Sequence, residues 1–220
     1  MYVCIFVVIH CVCVCVWISL CSIYEPSDDT FLLCDSLLKE RSYLSLLKPR
    51  LCIEIGCGSG CVITYLGQLL YQIGIHAELV ATDINPHALH AAKQTAIANH
   101  VSLECVRSSL LSGMEGAVGR VDVMVFNPPY VPTPDEEVAG CGIEASWAGG
   151  TDGRIVIDQF LPKIHVFLSD RGVCYLLLVK ENKPNEISRI LKGYGLNTEV
   201  VLQRVAQNER LLVMRISRTT

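Results

Sequence analysis

The run Val121-Asp122-Val123-Met124-Val125-Phe126 and the turn that ends it, Asn127-Pro128-Pro129-Tyr130, constrain this chain more than any other stretch. An apolar run of this kind reads as a buried parallel strand. Neither proline has an N–H and each restricts its neighbour, so the ladder stops and no helix starts at once. The result is a rigid, extended turn at the carboxyl end of a strand, the edge where open α/β sheets bind ligands. Asn127 offers an acceptor and two donors at that point, and the Pro128 carbonyl has no obvious ladder partner. Two acceptors side by side suit a planar –NH2 group, with Pro129 and the Tyr130 ring beside it as a wall. The plainer alternative is a Pro-rich turn with an Asn cap.

The rest of the chain supplies the sheet for such a strand. After Tyr24-Glu25-Pro26, Ser27 or Asp28 can cap a helix whose apolar stripe is Leu32, Leu33, Leu37 and Leu38, and Lys48-Pro49-Arg50 breaks it. Strands are predicted over 51–55, 77–82, 101–106, 121–126, 172–179, 196–203 and 211–216. Helices are predicted over 62–73, 86–99, 155–168 and 185–192, with a long loop over 131–153. This alternation indicates a doubly wound α/β sheet, closed by a pair of C-terminal strands.

Composition narrows the partners. The net charge is −4, so no basic field exists to hold a phosphate backbone, and no direct nucleic-acid binding is expected. Of twelve cysteines, five (Cys4, Cys11, Cys13, Cys15, Cys21) fall within residues 1–23. The others are scattered singly among apolar runs, without a disulfide framework, and read as reduced thiols of an intracellular protein. Residues 1–23 hold no Asp, Glu, Lys or Arg and could cross a bilayer by length. A signal peptide would want a basic n-region and an anchor would want basic flanks, yet Glu25, Asp28 and Asp29 follow. A TG dinucleotide repeat encodes alternating Cys and Val, which is the pattern of Cys11 to Val16. The segment is therefore expected to lie outside a fold that occupies residues 24–220, and no membrane association is expected.

Strand 51–55 runs into Gly56-Cys57-Gly58-Ser59-Gly60. Glycines there let the backbone approach a ligand and leave helix N–H groups to meet it. The third glycine comes one residue too early for a dinucleotide fingerprint, with Cys61 in its place. Asp83 ends the next strand, where a carboxylate can accept both hydroxyls of a ribose. Glu54, inside the first strand, needs a partner, and a cationic ligand would be one. Strand, Gly-x-Gly-x-Gly, helix, strand and Asp together are the arrangement expected for S-adenosylmethionine.

Glu54 to Gly60, Thr82-Asp83-Ile84-Asn85-Pro86 and Asn127-Pro128-Pro129-Tyr130 resemble class I methyltransferases that act on amide or amine nitrogen. More narrowly, the stretches from Tyr24 to Leu33 and from Gly142 to Gly150 resemble the eukaryotic HemK-like protein glutamine methyltransferases. The resemblance covers about residues 24–217. It implies a seven-stranded Rossmann-like sheet, mostly parallel with an antiparallel strand at the C-terminal end. It implies that Thr30, Glu54, Gly56, Gly58, Asp83, Ser109, Leu110 and Asn127 bind S-adenosylmethionine. Asn127, Pro128 and Tyr130 would act in catalysis, and Asn127 to Tyr130 would hold the substrate. The implied substrate is the glutamine of the Gly-Gly-Gln motif in the class 1 translation release factor. The implied partner is a small zinc-binding activator subunit, expected at the sheet edge formed by strand 101–106. The implied location is cytoplasmic, with the nucleus in addition.

One departure stands out. Members of this family carry an Asp after the third strand, and here the segment reads Arg107-Ser108-Ser109-Leu110, so a neutral hydroxyl replaces a charged acceptor. Three alternatives stay open: adenine methylation, histone lysine methylation, and a binding module with a retained cofactor pocket. His87 and His90 could share a helix face, but no metal site is expected. Asp135-Glu136-Glu137 reads as a solvated loop, and Lys180-Glu181-Asn182 as either a substrate contact or a turn.

Overall fold

The computed structural model describes residues 2–9, 12–19, 23–138, 143–206 and 209–219. Gly142, one end of a stretch that carries the family resemblance, lies outside them. Tyr2–Ile9 (β1) and Val12–Ser19 (β2) form an antiparallel hairpin separate from the main sheet, with β2 beside two helices of the domain. Among the described residues no helix is long and apolar enough to cross a membrane.

The main sheet is built from Leu51–Ile55 (β3), Glu78–Asp83 (β4), Glu104–Arg107 (β5), Val121–Phe126 (β6), Leu168–Val179 (β7), Leu196–Ala206 (β8) and Glu209–Arg218 (β9). Their order is β5-β4-β3-β6-β7-β9-β8. Pairing is parallel from β5 to β7, and β9 runs antiparallel to both of its neighbours. This is the seven-stranded architecture expected from the sequence. The central strands read as unbroken apolar runs because both faces are covered: Ile53, Ile55, Val123, Met124, Val125 and Leu176 are all buried.

Helices fill the crossovers. Cys61–Gln72 (α3) starts at Gly60 and Pro86–Ala98 (α4) starts at Asn85, whose side chain accepts the His87 N–H. Ile155–Phe167 (α6) and Pro184–Gly193 (α7) follow the later strands, α7 with its proline in the first turn, where no N–H is missed. Gly67 in α3 is a packing glycine: a Cβ there would come within 2.5 Å of Leu79 Cδ1.

The N-terminal helical pattern resolves into Asp28–Lys39 (α1) and Arg41–Leu47 (α2), joined at Glu40. Among the described residues, polar contacts tie α1 and its C-cap Glu40 to the C-terminal strands. Lys39 Nζ donates to Val201 O at 2.7 Å, Arg215 pairs with Glu40 at 2.5 Å, and Arg204 pairs with Asp35. The third core strand is shorter than predicted for a local reason. His100 sits in the left-handed region (φ 57) and the Val101 N–H reaches back to Ala96 O, so these residues end α4 instead. The loop over 131–153 contains a short helix, Asp135–Val138 (α5), and a bridge from Val131 to Ala148.

Every strand of the main sheet and the local frame of α1 lie beyond residue 23. The Tyr24 hydroxyl meets Ser27 Oγ at 3.0 Å, and the Ser27 N–H meets Thr30 Oγ1 at 3.5 Å. A chain beginning at Tyr24 is therefore expected to melt cooperatively within a few degrees of the full chain. Loss of the cooperative transition would show that the hairpin is part of the fold.

Candidate active site

β3 pairs with β4 on one side and β6 on the other, and Ile55 stands level with both Thr82 and Phe126. The residues that follow these three positions, Gly56, Asp83 and Asn127, therefore emerge together at one edge. It is also the place where the order of strands reverses direction, the switch point at which doubly wound sheets bind ligands.

On one side of this edge lies a pocket frame of glycines and carboxylates. Gly56, Gly58 and Gly60 take φ values of +61, +50 and +73, a region that disfavours any side chain. At Gly60 the need is also steric, since a Cβ would come within 2.6 Å of Ala92. Asp83 accepts the Gly58 N–H at 3.0 Å on one oxygen and the Asn85 N–H at 2.9 Å on the other. A carboxylate has about four acceptor sites, so room remains for a further donor. Burial raises the Asp83 pKa above its ordinary value, although the backbone donors pull it back. Glu54 is 3% exposed and accepts the Ile63 N–H at 3.0 Å. Burial pushes its pKa well above the usual carboxylate range, and among the described residues no Lys or Arg forms an ion pair with it. A buried acid in that state fits a cationic ligand group, and Asp83 fits a diol. Beyond β5, Ser109 is exposed, and the Leu110 carbonyl accepts Thr82 Oγ1 at 3.2 Å, with the Ser108 N–H on Asp83 O at 3.0 Å. These bonds hold the Ser109–Leu110 segment against the end of β4.

On the other side is the Asn-Pro-Pro-Tyr turn. Asn127 donates Nδ2 to Asp29 Oδ2 at 3.0 Å, and the Tyr130 hydroxyl donates to the same oxygen at 3.4 Å. Asn127 Oδ1 is buried and has no hydrogen-bond partner. Burial, and then the charge of Asp29, push the Tyr130 phenol well above its ordinary pKa, so it stays protonated and is a donor, not a base. Among the described residues no donor takes the Pro128 carbonyl. Thr30 stands in the first turn of α1, its hydroxyl 3.3 Å from Asp29 Oδ1.

Three further residues, Asp29, Asn182 and Gly153, frame this turn, and of them the sequence singles out only Asn182, as either a substrate contact or a turn residue. Asp29 is 3% exposed, although Asp28 and Asp29 look alike as acids in a first helical turn. Asn182, 0% exposed, donates to Tyr130 O at 2.8 Å and Asp152 O at 2.9 Å while its Oδ1 accepts the Val179 N–H. That makes Asn182 turn chemistry. Gly153 passes so close to the turn that a Cβ would come within 1.9 Å of Tyr130 O, and its φ is +66. The spacing Gly149-Gly150-x-x-Gly153 was the available signal for a close backbone approach. Asp135 is also structural: it accepts the Thr151 N–H at 2.7 Å and the Thr151 hydroxyl at 2.9 Å, while Glu136 and Glu137 are exposed.

The Glu54 shift has a stability consequence. An acid whose folded pKa is raised binds more protons folded than unfolded, so stability falls as pH climbs above the unfolded value, near 4.5. Glu54→Gln keeps an acceptor for Ile63 and removes the charge. In the ligand-free chain it is expected to raise the melting temperature at neutral pH, with the gain vanishing as pH falls toward 4.5. An equal gain at both pH values would show that burial of the charge is not the cause.

The family described as methyltransferase small domain matches residues 30–142. Methyltransferase HEMK2 of Mus musculus is 45% identical over 90% of this chain and 90% of its own length. The eRF1 methyltransferase catalytic subunit mtq2 of Schizosaccharomyces pombe is 38% identical, over 89% of each. Among solved structures, the Mtq2–Trm112 complex of E. cuniculi, responsible for methylation of the translation termination factor eRF1, aligns with a TM-score of 0.66. Its identity is 30%, over 90% of this chain and 99% of that one. The T. thermophilus 16S rRNA N2 methyltransferase, solved with AdoMet and guanosine, shares the fold at a TM-score of 0.71 and 16% identity, over 100% of this chain and 51% of that one. With the glycine turn, the two acids and the Asn-Pro-Pro-Tyr turn at one sheet edge, the chain belongs to the small-domain methyltransferases, in their eukaryotic HemK-like branch.

Proposed function

We propose that this enzyme transfers a methyl group from S-adenosylmethionine to the side-chain amide nitrogen of the glutamine in the Gly-Gly-Gln motif of the class 1 translation release factor. The observation that carries this reading is Asn127 Oδ1, a buried acceptor without a partner, followed along the chain by the Pro128 carbonyl, which no donor takes among the described residues. A buried acceptor left unmade costs ~1–3 kcal/mol, so the site is built for an incoming donor. A primary amide brings two N–H bonds in one plane, one for each oxygen. The names of the S. pombe and E. cuniculi relatives support the release factor as the protein that carries it. A substrate of translation termination implies work in the cytoplasm.

Glu54 and Asp83 would hold the cofactor, the first facing its cationic end and the second its ribose, with Gly56 and Gly58 giving the backbone room. Bound there, S-adenosylmethionine supplies an electrophilic methyl on a sulfonium. The difficulty lies with the acceptor, because an amide nitrogen's lone pair is delocalised into its carbonyl, with a rotational barrier of ~18–20 kcal/mol in peptides. Asn127 Oδ1 and Pro128 O take the two N–H bonds, favour pyramidal nitrogen and aim its lone pair. The Tyr130 ring and Pro129 close the flank and exclude water. Orientation of this kind is worth roughly 7–11 kcal/mol of the barrier. The surplus proton can pass to water after transfer, so no side-chain base is required.

The small activator subunit is assigned to β5, the exposed edge of the sheet, where Val106 is 37% exposed, with Ile84, just past the end of the neighbouring β4, 64% exposed. Unpaired edges recruit partners by strand addition. Val106→Lys is expected to weaken co-purification with the activator while leaving cofactor affinity intact; unchanged co-purification would move the interface elsewhere.

The direct test offers release factor, histone and DNA side by side with labelled cofactor. Label is expected on the release factor alone. Asn127→Ala should lower turnover by about 10²-fold or more, the scale for losing one aimed polar group, and leave cofactor affinity nearly unchanged. Salt-sensitive labelling of DNA adenine with release factor untouched would overturn the reading.

A further inference from the structure

We propose that Asp29 is a positioning residue that decides which end of the Asn127 amide faces the substrate, and so makes the site accept only an N–H donor. The inference rests on the reading of Asn127 as the holder of the acceptor amide. The two ends of a carboxamide are nearly the same in shape, and one donates while the other accepts. Geometry alone would let Asn127 sit either way round. In one orientation the site offers an oxygen to a substrate N–H; in the other it offers an NH2 group, which repels that substrate.

The two oxygens of Asp29 divide the work. Oδ1 accepts the Thr30 N–H at 2.6 Å and the Ser27 hydroxyl at 2.8 Å, which belong to the first turn of α1. Oδ2 faces the active-site turn and accepts Asn127 Nδ2 at 3.0 Å and the Tyr130 hydroxyl at 3.4 Å. A carboxylate is an acceptor on both sides, so Asn127 must turn its NH2 toward it and its Oδ1 toward the site. Turned over, Asn127 would set oxygen against oxygen inside a buried contact. In this role Asp29 acts through Asn127, with its hydrogen bonds among the described residues all going to protein groups.

This division makes an unusual prediction about substitutions. In Asp29→Asn the fixed Thr30 N–H claims the new carbonyl for the Oδ1 position, which leaves the new NH2 at the Oδ2 position. Asn127 then turns its own oxygen to that NH2 and presents nitrogen to the substrate. The near-isosteric variant should therefore be worse than Asp29→Ala, which removes the bias without reversing it. A residue that only caps α1 gives the opposite order, because Asn caps a helix and Ala does not. Adding Asn127→Asp to Asp29→Asn restores the pattern: the carboxylate then at position 127 accepts from the carboxamide at position 29 on one oxygen and offers the other to the substrate. Asn127→Asp alone sets two carboxylates against each other and should be inactive.

The test measures kcat on release factor with the activator subunit present, cofactor affinity by calorimetry, and the Asn127 side-chain amide protons by 15N-resolved NMR, assigned by their loss in Asn127→Ala. Expected results are a kcat order of wild type, Asp29→Ala, Asp29→Asn, with the last down by about 10²-fold. The Asp29→Asn/Asn127→Asp pair should regain at least a tenth of wild-type kcat, with cofactor affinity retained throughout. The Asn127 proton that donates to Asp29 should lie downfield in wild type and move upfield in both Asp29 variants. Asp29→Ala falling below Asp29→Asn, no recovery in the double variant, or an unmoved Asn127 resonance would each overturn the assignment. A wild-type chain that leaves release factor unlabelled but shows the Asn127 shift would instead sink the substrate reading and leave the orientation role standing.

Discussion

The lateral pairing of β3 with β6 is the constraint on which the rest of this structure depends. Glu54 stands opposite Val125 and Ile55 opposite Phe126, so the glycine turn and the Asn-Pro-Pro-Tyr turn leave the sheet side by side. A slip of one residue would turn every side chain of a strand to the other face and would carry Glu54 out of the pocket frame it shares with Asp83. The register is held by burial on both faces. Phe126 meets Phe160 of α6 edge-to-face at 4.9 Å between ring centroids, and a Cβ on Gly56 would already touch the Phe126 ring at 3.4 Å. Packing at the last residue of β6 thus sets the distance between the two halves of the site.

What makes the acceptor turn rigid is a polar frame drawn from far along the chain. Two prolines remove its own ladder bonds, and buried groups from three other segments replace them. Asn182 ties the Tyr130 carbonyl to the end of β7, Gly153 lets the neighbouring loop press against that carbonyl, and Asp29 takes the Asn127 amide. Asp29 in turn is placed by α1, which Arg204, Arg215 and Lys39 bind to the C-terminal strands. The Arg215 guanidinium also lies 4.6 Å from the Tyr43 ring centroid. Partly buried ion pairs of this kind add little net stability, and their use here is to fix a position. The antiparallel β8–β9 pair, remote from this turn in sequence, therefore helps to place Asp29 against the Asn127 amide.

Much of the fold and half of the site were legible in the sequence because their causes are local. The apolar run that ends at Phe126 has to be a buried strand, and Pro128 and Pro129 have to end it, whatever surrounds them. The glycines at 56, 58 and 60 declare left-handed backbone, and Asp83 is recognisable by its place at a strand end after them. Where local cues compete, sequence pattern and structure part: residues 101–103 look like strand but are drawn into ending α4, and the helix before residue 48 hides a break at Glu40. The loop over 131–153 reads as unstructured because its order comes from backbone bonds such as Gly149 N–H to Val131 O and Thr133 N–H to Gly150 O.

The sequence by itself determined the class of sheet, the edge at which ligands meet it, and the identity of Glu54, Asp83 and Asn127 as the polar groups there. Only the tertiary structure decided which of two adjacent acids is buried, that Asn182 is a lock and not a substrate contact, and which end of Asn127 is left free. The reason is range. A strand, a turn or a cap is set by residues within a few positions of one another, whereas Asp29 and Asn127 stand 98 residues apart and meet only because α1 and β6 are held to the same sheet.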